Sequence, residues 1–179
     1  MKTKHLTAVA MYLALIILSG MIAIPMPVGV PVVLQNMMLF MAGGILGKKY
    51  GTLTAAVFVL AVALGLPVLP GGRGGAAVFF GISGSFFIGY VLAPFLVGLA
   101  LEKYTKRNFL TFFIVYFLFG AVLINLTGLL SMSIHSGGIK PALVAMAGFL
   151  PIDTLKAAFA AWVSERIYAT GKLNAFIGS

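Results

Sequence analysis

Long apolar segments, separated by very few charged residues, constrain this chain more than any other feature of its sequence. A transmembrane helix requires about 20 largely apolar residues, and segments of this kind occur along most of the 179 residues. Only 8% of the residues are charged, against about 25% in a soluble domain, so these charges could not cover a water-exposed surface. The sequence therefore predicts an all-α, polytopic integral membrane protein.

Six of these segments are predicted to be membrane-spanning helices. They cover residues 6–24, 32–46, 52–66, 82–101, 109–130 and 142–168. The second segment would extend over only about 23 Å as a helix, less than the hydrocarbon thickness of about 30 Å, so we expect a short helix packed inside the bundle. Gly148 and Pro151 are expected to break the last helix. Since no linker or internal repeat divides the chain, one domain is predicted over residues 1–179.

The distribution of lysine and arginine predicts the orientation of the helices. Six spans place both termini on one side of the membrane, and nine of the twelve basic residues lie on that side: Lys2, Lys4, Lys48, Lys49, Lys103, Lys106, Arg107, Arg166 and Lys172. Arg73 and Lys140 lie on the other side, and Lys156 lies within the last span. Because Lys and Arg are retained in the cytoplasm, both termini are predicted to be cytoplasmic. The net charge of +9 then reflects topology, and no nucleic-acid binding is expected.

The composition also excludes several classes of enzyme. The absence of cysteine excludes disulfide scaffolds, zinc–cysteine clusters and thiol catalysis. Three acidic residues and two histidines are too few for most metal or acid–base active sites. Residues 43–49 resemble a phosphate-binding loop but have Ala42 and Lys49 where that motif needs glycine and serine or threonine. We therefore predict no enzyme activity, catalytic residue, bound metal or cofactor in this chain.

Two connections on the outer side are rich in proline or glycine. Residues 25–31 contain three prolines and are expected to be rigid and extended; Gln35, which follows, suits either a ligand contact or an interfacial position. Residues 65–75 surround Arg73 with glycines, including Gly72 and Gly74, so that backbone amides can approach a ligand closely. This loop suits a carboxylate or carbonyl, or alternatively a flexible turn whose arginine meets lipid headgroups.

Polar residues also occur where the chain is otherwise apolar. Asp153 and Lys156 are three residues apart and would share one face of the last helix. Ionisable residues inside a membrane usually face a cavity or one another, so this pair is predicted to be either functional or a self-neutralising structural pair. Asn125 is a lone amide in the fifth span that could bond a neighbouring helix. Residues 81–90 combine glycine and serine with aromatic side chains, which suits close helix packing or a ligand pressed against the backbone.

These segments follow the order of motifs in a known family. The motif Pro-x-Thr-Leu-Gln corresponds to residues 31–35, and Ala-Gly-x-x-x-Gly to residues 42–47. Gly-Leu-Pro-Val with a following glycine cluster, Gly-Pro-Thr-Gly-Gly-Tyr-Leu-Ile-Gly-Phe and Pro-x-Asp-x-x-Lys correspond to residues 65–75, 81–90 and 151–156. The sequence thus resembles, over nearly its whole length, the BioY family, the biotin-specific substrate-binding (S) component of energy-coupling factor (ECF) transporters.

The resemblance implies a six-helix S-component bundle in the cell membrane of a prokaryote. Such a subunit captures biotin outside the cell for ATP-driven uptake and associates with a transmembrane coupling subunit and two ATPases, which use the ATP. In S components an Ala-xxx-Ala strip on the first helix contacts the coupling subunit, and here Ala10 and Ala14 have that spacing.

On this basis we assign hypothetical roles in a biotin site. Gln35, Asn125 and Asp153 would recognise polar groups, Lys156 or Arg73 would neutralise the carboxylate, and Ser83 keeps one family hydroxyl. The pocket would be shaped by Gly72, Gly74, Phe79 and Gly81. Val33 and Phe86 replace a threonine and a tyrosine of the family pattern, which removes two hydroxyls. An S component for another vitamin-like acid such as lipoate, and a stand-alone small secondary carrier, are therefore alternatives.

Overall fold

Helices account for most of the chain in a computed structural model that describes residues 3–25 and 30–171. The helices are α1 (Thr3–Gly20), α2 (Gln35–Ala63), α3 (Phe86–Glu102), α4 (Phe109–Val115), α5 (Leu123–His135) and α6 (Ile139–Ala169). A π-helical segment, Tyr116–Val122, joins α4 to α5 without a break, and a 3₁₀ helix, Ala76–Phe80, precedes α3. Two short antiparallel strands, β1 (Ala23–Ile24) and β2 (Val32–Val33), pair between α1 and α2.

Helix α2 folds back on itself at Gly47. This residue has φ 75° and ψ 172°, a backbone conformation that essentially only glycine adopts. A Cβ atom on Gly51 would lie 2.6 Å from the carbonyl oxygen of Ala42. In a straight helix these two residues, nine positions apart, would be separated by about 14 Å. The two halves, residues 35–46 and 48–63, therefore lie side by side, and the first half is almost entirely buried within the bundle.

Among the described residues there are five apolar helical stretches where six spans were predicted, because the second and third predicted spans both lie in α2. Several boundaries also differ. Residues 32–33 pair with β1, so α2 begins only at Gln35. Residues 82–85 form turns before α3, and the fifth helical stretch continues to His135. The predicted break at Gly148 and Pro151 is wrong, because α6 runs without interruption through both residues. Proline and glycine are tolerated in membrane helices where neighbouring helices satisfy the freed backbone groups.

Four helical stretches of the described residues are long and apolar enough to cross a membrane. They are Thr3–Gly20, Gln35–Ala63, Phe109–His135 and Ile139–Ala169, while α3 is a shorter apolar helix. The predicted all-α integral membrane protein is thus supported by helix length and composition. Residues 26–29 of the predicted rigid connection, and Lys2 and Lys172 of the charge count, lie outside the described residues.

Replacing Gly47 with alanine should lower the free energy of unfolding by about 1–3 kcal/mol, because alanine would have to adopt φ 75°. Gly148→Ala is the matched control: Gly148 is exposed on α6, and a Cβ atom there meets nothing within 4 Å, so stability should stay equal or rise slightly. Thermal unfolding of the detergent-solubilised protein measures both effects. Equal unfolding midpoints for the two variants would contradict a glycine-dependent reversal at residue 47.

Candidate functional site

Four polar side chains from three helices meet in the interior of the bundle. The Oδ1 atom of Asp153 accepts a hydrogen bond from Lys156 Nζ at 2.9 Å, and its Oδ2 atom accepts one from Asn125 Nδ2 at 2.7 Å. Asn36 completes the group, because its Oδ1 atom accepts from Lys156 Nζ at 3.1 Å and its Nδ2 atom lies 3.4 Å from Asp153 Oδ1. We call Asn36, Asn125, Asp153 and Lys156 the polar quartet.

The two charged side chains of the polar quartet are buried, so each of them requires a partner. Asp153 is 4% exposed and Lys156 is 6% exposed, and removing a carboxylate and an ammonium from water costs several kcal/mol each unless both are paired and hydrogen-bonded. The two amides supply those additional bonds. The predicted sharing of one α6 face by Asp153 and Lys156 is confirmed by their i, i+3 ion pair.

Each helix contributes to the quartet for a local reason. Asn125 lies in the first turn of α5, directly after the π-helical segment, where its Nδ2 atom also bonds the carbonyl of Ala121 at 2.9 Å. Asn36 lies in the first turn of α2, whose buried first half carries it to the centre of the bundle. Asn36 was not among the predicted site residues; the one sequence signal for it is an amide beside Gln35 at the start of a short, otherwise apolar helix.

Two adjoining chambers lie beside the quartet. The small chamber, about 30 Å³, is lined by all four quartet residues, and the large chamber has a volume of about 150 Å³. Both chambers share the same five lining residues: Val30, Pro31, Val33, Phe86 and Tyr90. The two chambers thus adjoin one another at apolar and aromatic side chains.

A second cationic group lies at the large chamber. Arg73 lines this chamber from the glycine-rich loop, is exposed, and donates a hydrogen bond from Nε to the carbonyl of Pro70 at 3.1 Å. The loop is closed by a backbone bond from Leu69 N to Arg73 O of 3.0 Å. The cavity therefore has a buried, charge-compensated end and an end with an exposed guanidinium group.

The other predicted site residues differ in their relation to the cavity. Gly81 and Ser83 line the large chamber, whereas Gly72 and Gly74 lie in the loop and outside the lining of both chambers. Phe79 lies behind the wall: its ring packs on Phe87, with centroids 4.5 Å apart, and lines a lateral groove instead.

Gln35 has a structural role that the sequence did not predict. It lines the large chamber but is only 1% exposed. Its Nε2 atom donates to the carbonyls of Ile16 at 3.2 Å and Val68 at 3.0 Å. The side-chain amide therefore joins α1 to the glycine-rich loop, which leaves its carbonyl oxygen as the group that a ligand could contact.

Lys156→Met is expected to lower the free energy of unfolding by about 3–5 kcal/mol, because it leaves the Asp153 carboxylate buried and uncompensated. Lys48→Met is the control. It breaks the ion pair of Lys48 with Glu102, whose side chains are 42% and 33% exposed, and exposed pairs contribute less than about 1 kcal/mol. The double variant Lys156→Met, Asp153→Asn should recover part of the loss. Thermal unfolding in detergent compares the four proteins, and equal losses from the two single lysine variants would contradict the compensation of Asp153 by Lys156.

Comparison with known proteins gives the same family for the whole chain. The sequence pattern of the BioY family matches residues 1–172. The biotin transporter BioY of Lactococcus lactis subsp. cremoris is 38% identical over 177 residues, which cover 95% of this chain and 93% of the relative. A probable biotin transporter BioY of Bacillus subtilis is 39% identical over 140 residues, covering 77% and 75%.

A solved structure extends the similarity to the fold. The crystal structure of the S-component for biotin from an ECF-type ABC transporter superposes with a TM-score of 0.91 at 36% sequence identity, covering 98% of this chain and 96% of that protein. The sequence match over residues 1–172 and the shared fold agree, and the chain belongs to the BioY family.

Proposed function

We propose that this protein is the substrate-binding membrane subunit of an ECF-type ABC transporter and captures biotin outside the cell for ATP-driven uptake. The observation that carries the proposal is the polar quartet beside a cavity with a second cation, in a chain that shares its fold with a solved S-component for biotin. The family is one of transporters, and this chain is not an enzyme.

The chemistry of the cavity is complementary to the three parts of biotin. A ureido ring offers N–H donors and a carbonyl acceptor, which the Asp153 carboxylate and the amides of Asn36 and Asn125 can bond. The fused apolar rings fit the apolar and aromatic wall that includes Phe86 and Tyr90. Binding sites for small molecules usually combine such walls with a few placed polar groups.

Arg73 is the better candidate for the carboxylate of biotin. The Lys156 ammonium is already bonded to Asp153 at 2.9 Å and to Asn36 at 3.1 Å, so its charge is compensated inside the protein. The Arg73 guanidinium is exposed at the large chamber, and a guanidinium can bind a carboxylate with two parallel hydrogen bonds. Biotin would then lie with its ring at the quartet and its tail towards the glycine-rich loop.

In this proposal the chain crosses the cell membrane six times as a single domain, with both termini in the cytoplasm. The two side-by-side halves of α2 count as two crossings, and α3 provides another. The turn at Gly47 would lie at the cytoplasmic end, where Lys48 pairs with Glu102 at the end of α3 at 2.8 Å. Arg73 would then lie on the outer side, where biotin arrives.

Transport would depend on partner subunits and not on a cofactor of this chain. ATP would be used by two ATPase subunits, and a transmembrane coupling subunit would contact the exposed strip of Ala10 and Ala14 on α1. Both alanines are exposed in the structure, whereas Val9, Tyr12 and Ile16 on the same helix are buried. Small residues at this spacing allow another helix to approach closely.

Calorimetry of the detergent-solubilised protein with biotin, biotin methyl ester and lipoate tests the substrate and its orientation. Asp153→Asn should weaken binding of biotin and of its ester about equally, by roughly tenfold or more, since a hydrogen bond to a charged group contributes about 1.5–3 kcal/mol. Arg73→Gln should weaken biotin alone, because the ester carries no negative charge.

Three results of this calorimetry would each contradict a different part of the proposal. Absence of biotin binding, or tighter binding of lipoate than of biotin, would reject biotin as the substrate. Unchanged biotin affinity of Asp153→Asn would remove the quartet from the site. Equal losses of biotin and ester in Arg73→Gln would remove Arg73 from carboxylate recognition.

Replacing Ala10 and Ala14 with tryptophan should abolish association with the co-expressed coupling subunit and ATPases, because bulk on this strip prevents close helix approach. Biotin binding should remain unchanged. Met11 and Leu15 have the same spacing and are 66% and 47% exposed, so their double tryptophan variant is the control. Co-purification measures association. Full association of the Ala10 and Ala14 variant, or biotin uptake into vesicles by the purified chain alone, would contradict this assignment.

A further inference from the structure

Two buried serines join the turn before α3 to helix α5. The backbone N–H of Ser85 donates to Ser131 Oγ at 3.2 Å, and the backbone N–H of Ser131 donates to Ser85 Oγ at 2.9 Å. The two hydroxyl oxygens are 2.6 Å apart. Ser85 is 8% exposed and Ser131 is 7% exposed, so water is largely excluded from these bonds.

A third group determines the direction of the bond between the hydroxyls. Ser131 Oγ lies 2.8 Å from the carbonyl oxygen of Ile82, which can only accept. The Ser131 hydroxyl therefore donates to Ile82, and the Ser85 hydroxyl donates to Ser131. Each hydroxyl then donates one bond and accepts at least one, which a buried hydroxyl requires. We call this arrangement of Ser85, Ser131 and the Ile82 carbonyl the serine clasp.

The clasp lies behind the wall of the large chamber. Gly81, Ile82 and Ser83 line that chamber, whereas Ser85 and Ser131 line neither chamber and face the lateral groove on the other side. The two serine hydroxyls therefore do not contact a ligand in the cavity. Their bonds instead hold the segment that contains Gly81, Ile82 and Ser83, the residues that line the large chamber.

Helix α5 fixes the same segment at a second position. Gly128 lies three residues before Ser131, so both residues are on one face of α5. A Cβ atom at residue 128 would overlap the ring of Phe86, which shows that this ring lies directly on the α5 backbone. Because Phe86 lines both chambers, α5 positions both the turn and the aromatic ring that follows it.

We propose that Ser131 is a positioning residue for substrate binding: through the serine clasp it keeps residues 81–85, and with them one wall of the large chamber, in the conformation that accepts the substrate. This inference rests on the proposed function, because the cavity is taken as the biotin site. Ser131→Ala removes the partner of the buried Ser85 amide and of the Ile82 carbonyl, which is half-buried, and this is unfavourable. The turn then populates other conformations, and the apparent affinity falls by the fraction of molecules that remain competent.

Biotin-binding kinetics of the detergent-solubilised protein test this role. Ser131→Ala should lower the apparent association rate constant by about three- to tenfold as the competent fraction falls. The dissociation rate constant should not change, because Ser131 makes no contact with the ligand. Ser131→Thr keeps the hydroxyl, its extra methyl group can point into the lateral groove, and it should restore the wild-type rate. Ser133→Ala is the matched control, since the Ser133 hydroxyl donates to the carbonyl of Leu130 in its own helix, at 2.8 Å, and to no other group among the described residues.

Hydrogen exchange without ligand provides the second measurement. Ser131→Ala should increase amide exchange over residues 82–86 relative to wild type and to Ser133→Ala. If the Ser131→Ala protein does not fold, Ser85→Ala replaces it, with a smaller expected effect because the bond from Ser131 to Ile82 remains.

Three outcomes would overturn the positioning role: wild-type kinetics of Ser131→Ala, an effect confined to the dissociation rate, or unchanged exchange over residues 82–86. Absence of biotin binding by the wild-type protein would instead contradict the proposed function. The exchange measurement would then decide by itself whether the clasp holds the turn.

Discussion

The buried carboxylate of Asp153 is the group on which the interior of this bundle depends. A charge that is 4% exposed in an apolar environment requires an opposite charge and further hydrogen bonds, and these come from Lys156, Asn125 and Asn36. The three helices that carry them must therefore stay in register with one another. Asn36 belongs to the first half of α2, which ends at the reversal at Gly47 and is almost entirely buried inside the bundle. The compensation of the Asp153 charge by Asn36 and the reversal of α2 at Gly47 therefore involve the same half-helix.

The same requirement divides the cavity into two ends with different chemistry. At the quartet, both charges are already compensated, so a ligand there would be recognised through hydrogen bonds in fixed directions. At the large chamber, Arg73 is exposed on a loop, so its charge would be available to a ligand that enters this chamber. A molecule with a neutral polar ring at one end and a carboxylate at the other matches this polarity in one orientation only. The proposed orientation of the substrate thus rests on which of the two cations is compensated inside the protein.

Local sequence patterns predicted the helices and the ion pair. The features that these patterns did not predict depend on contacts between residues far apart in the sequence. Runs of apolar residues indicate spans, and the spacing of Asp153 and Lys156 determines their shared face. The continuity of α6 through Pro151, the bonds of Gln35 to Ile16 and Val68, and the entry of Asn36 into the quartet all depend on which elements pack together. The Ser85 and Ser131 clasp joins residues 46 positions apart. No periodicity in either segment indicates that pairing.

The two hydroxyls that this sequence lacks relative to the family pattern belong to the apolar wall and not to the polar quartet. Val33 and Phe86 line both chambers, and each is buried, at 7% exposure. Phe86 is held by the contact of its ring with α5 at Gly128 and by the adjacent clasp, and neither contact needs a phenolic oxygen. The hydrogen-bonding groups at the small chamber, Asp153, Asn36 and Asn125, are unaffected by these departures. If the polar quartet binds the ring of the substrate as proposed, variation at residues 33 and 86 would change the shape of the cavity wall and leave the hydrogen-bonding groups of the quartet in place.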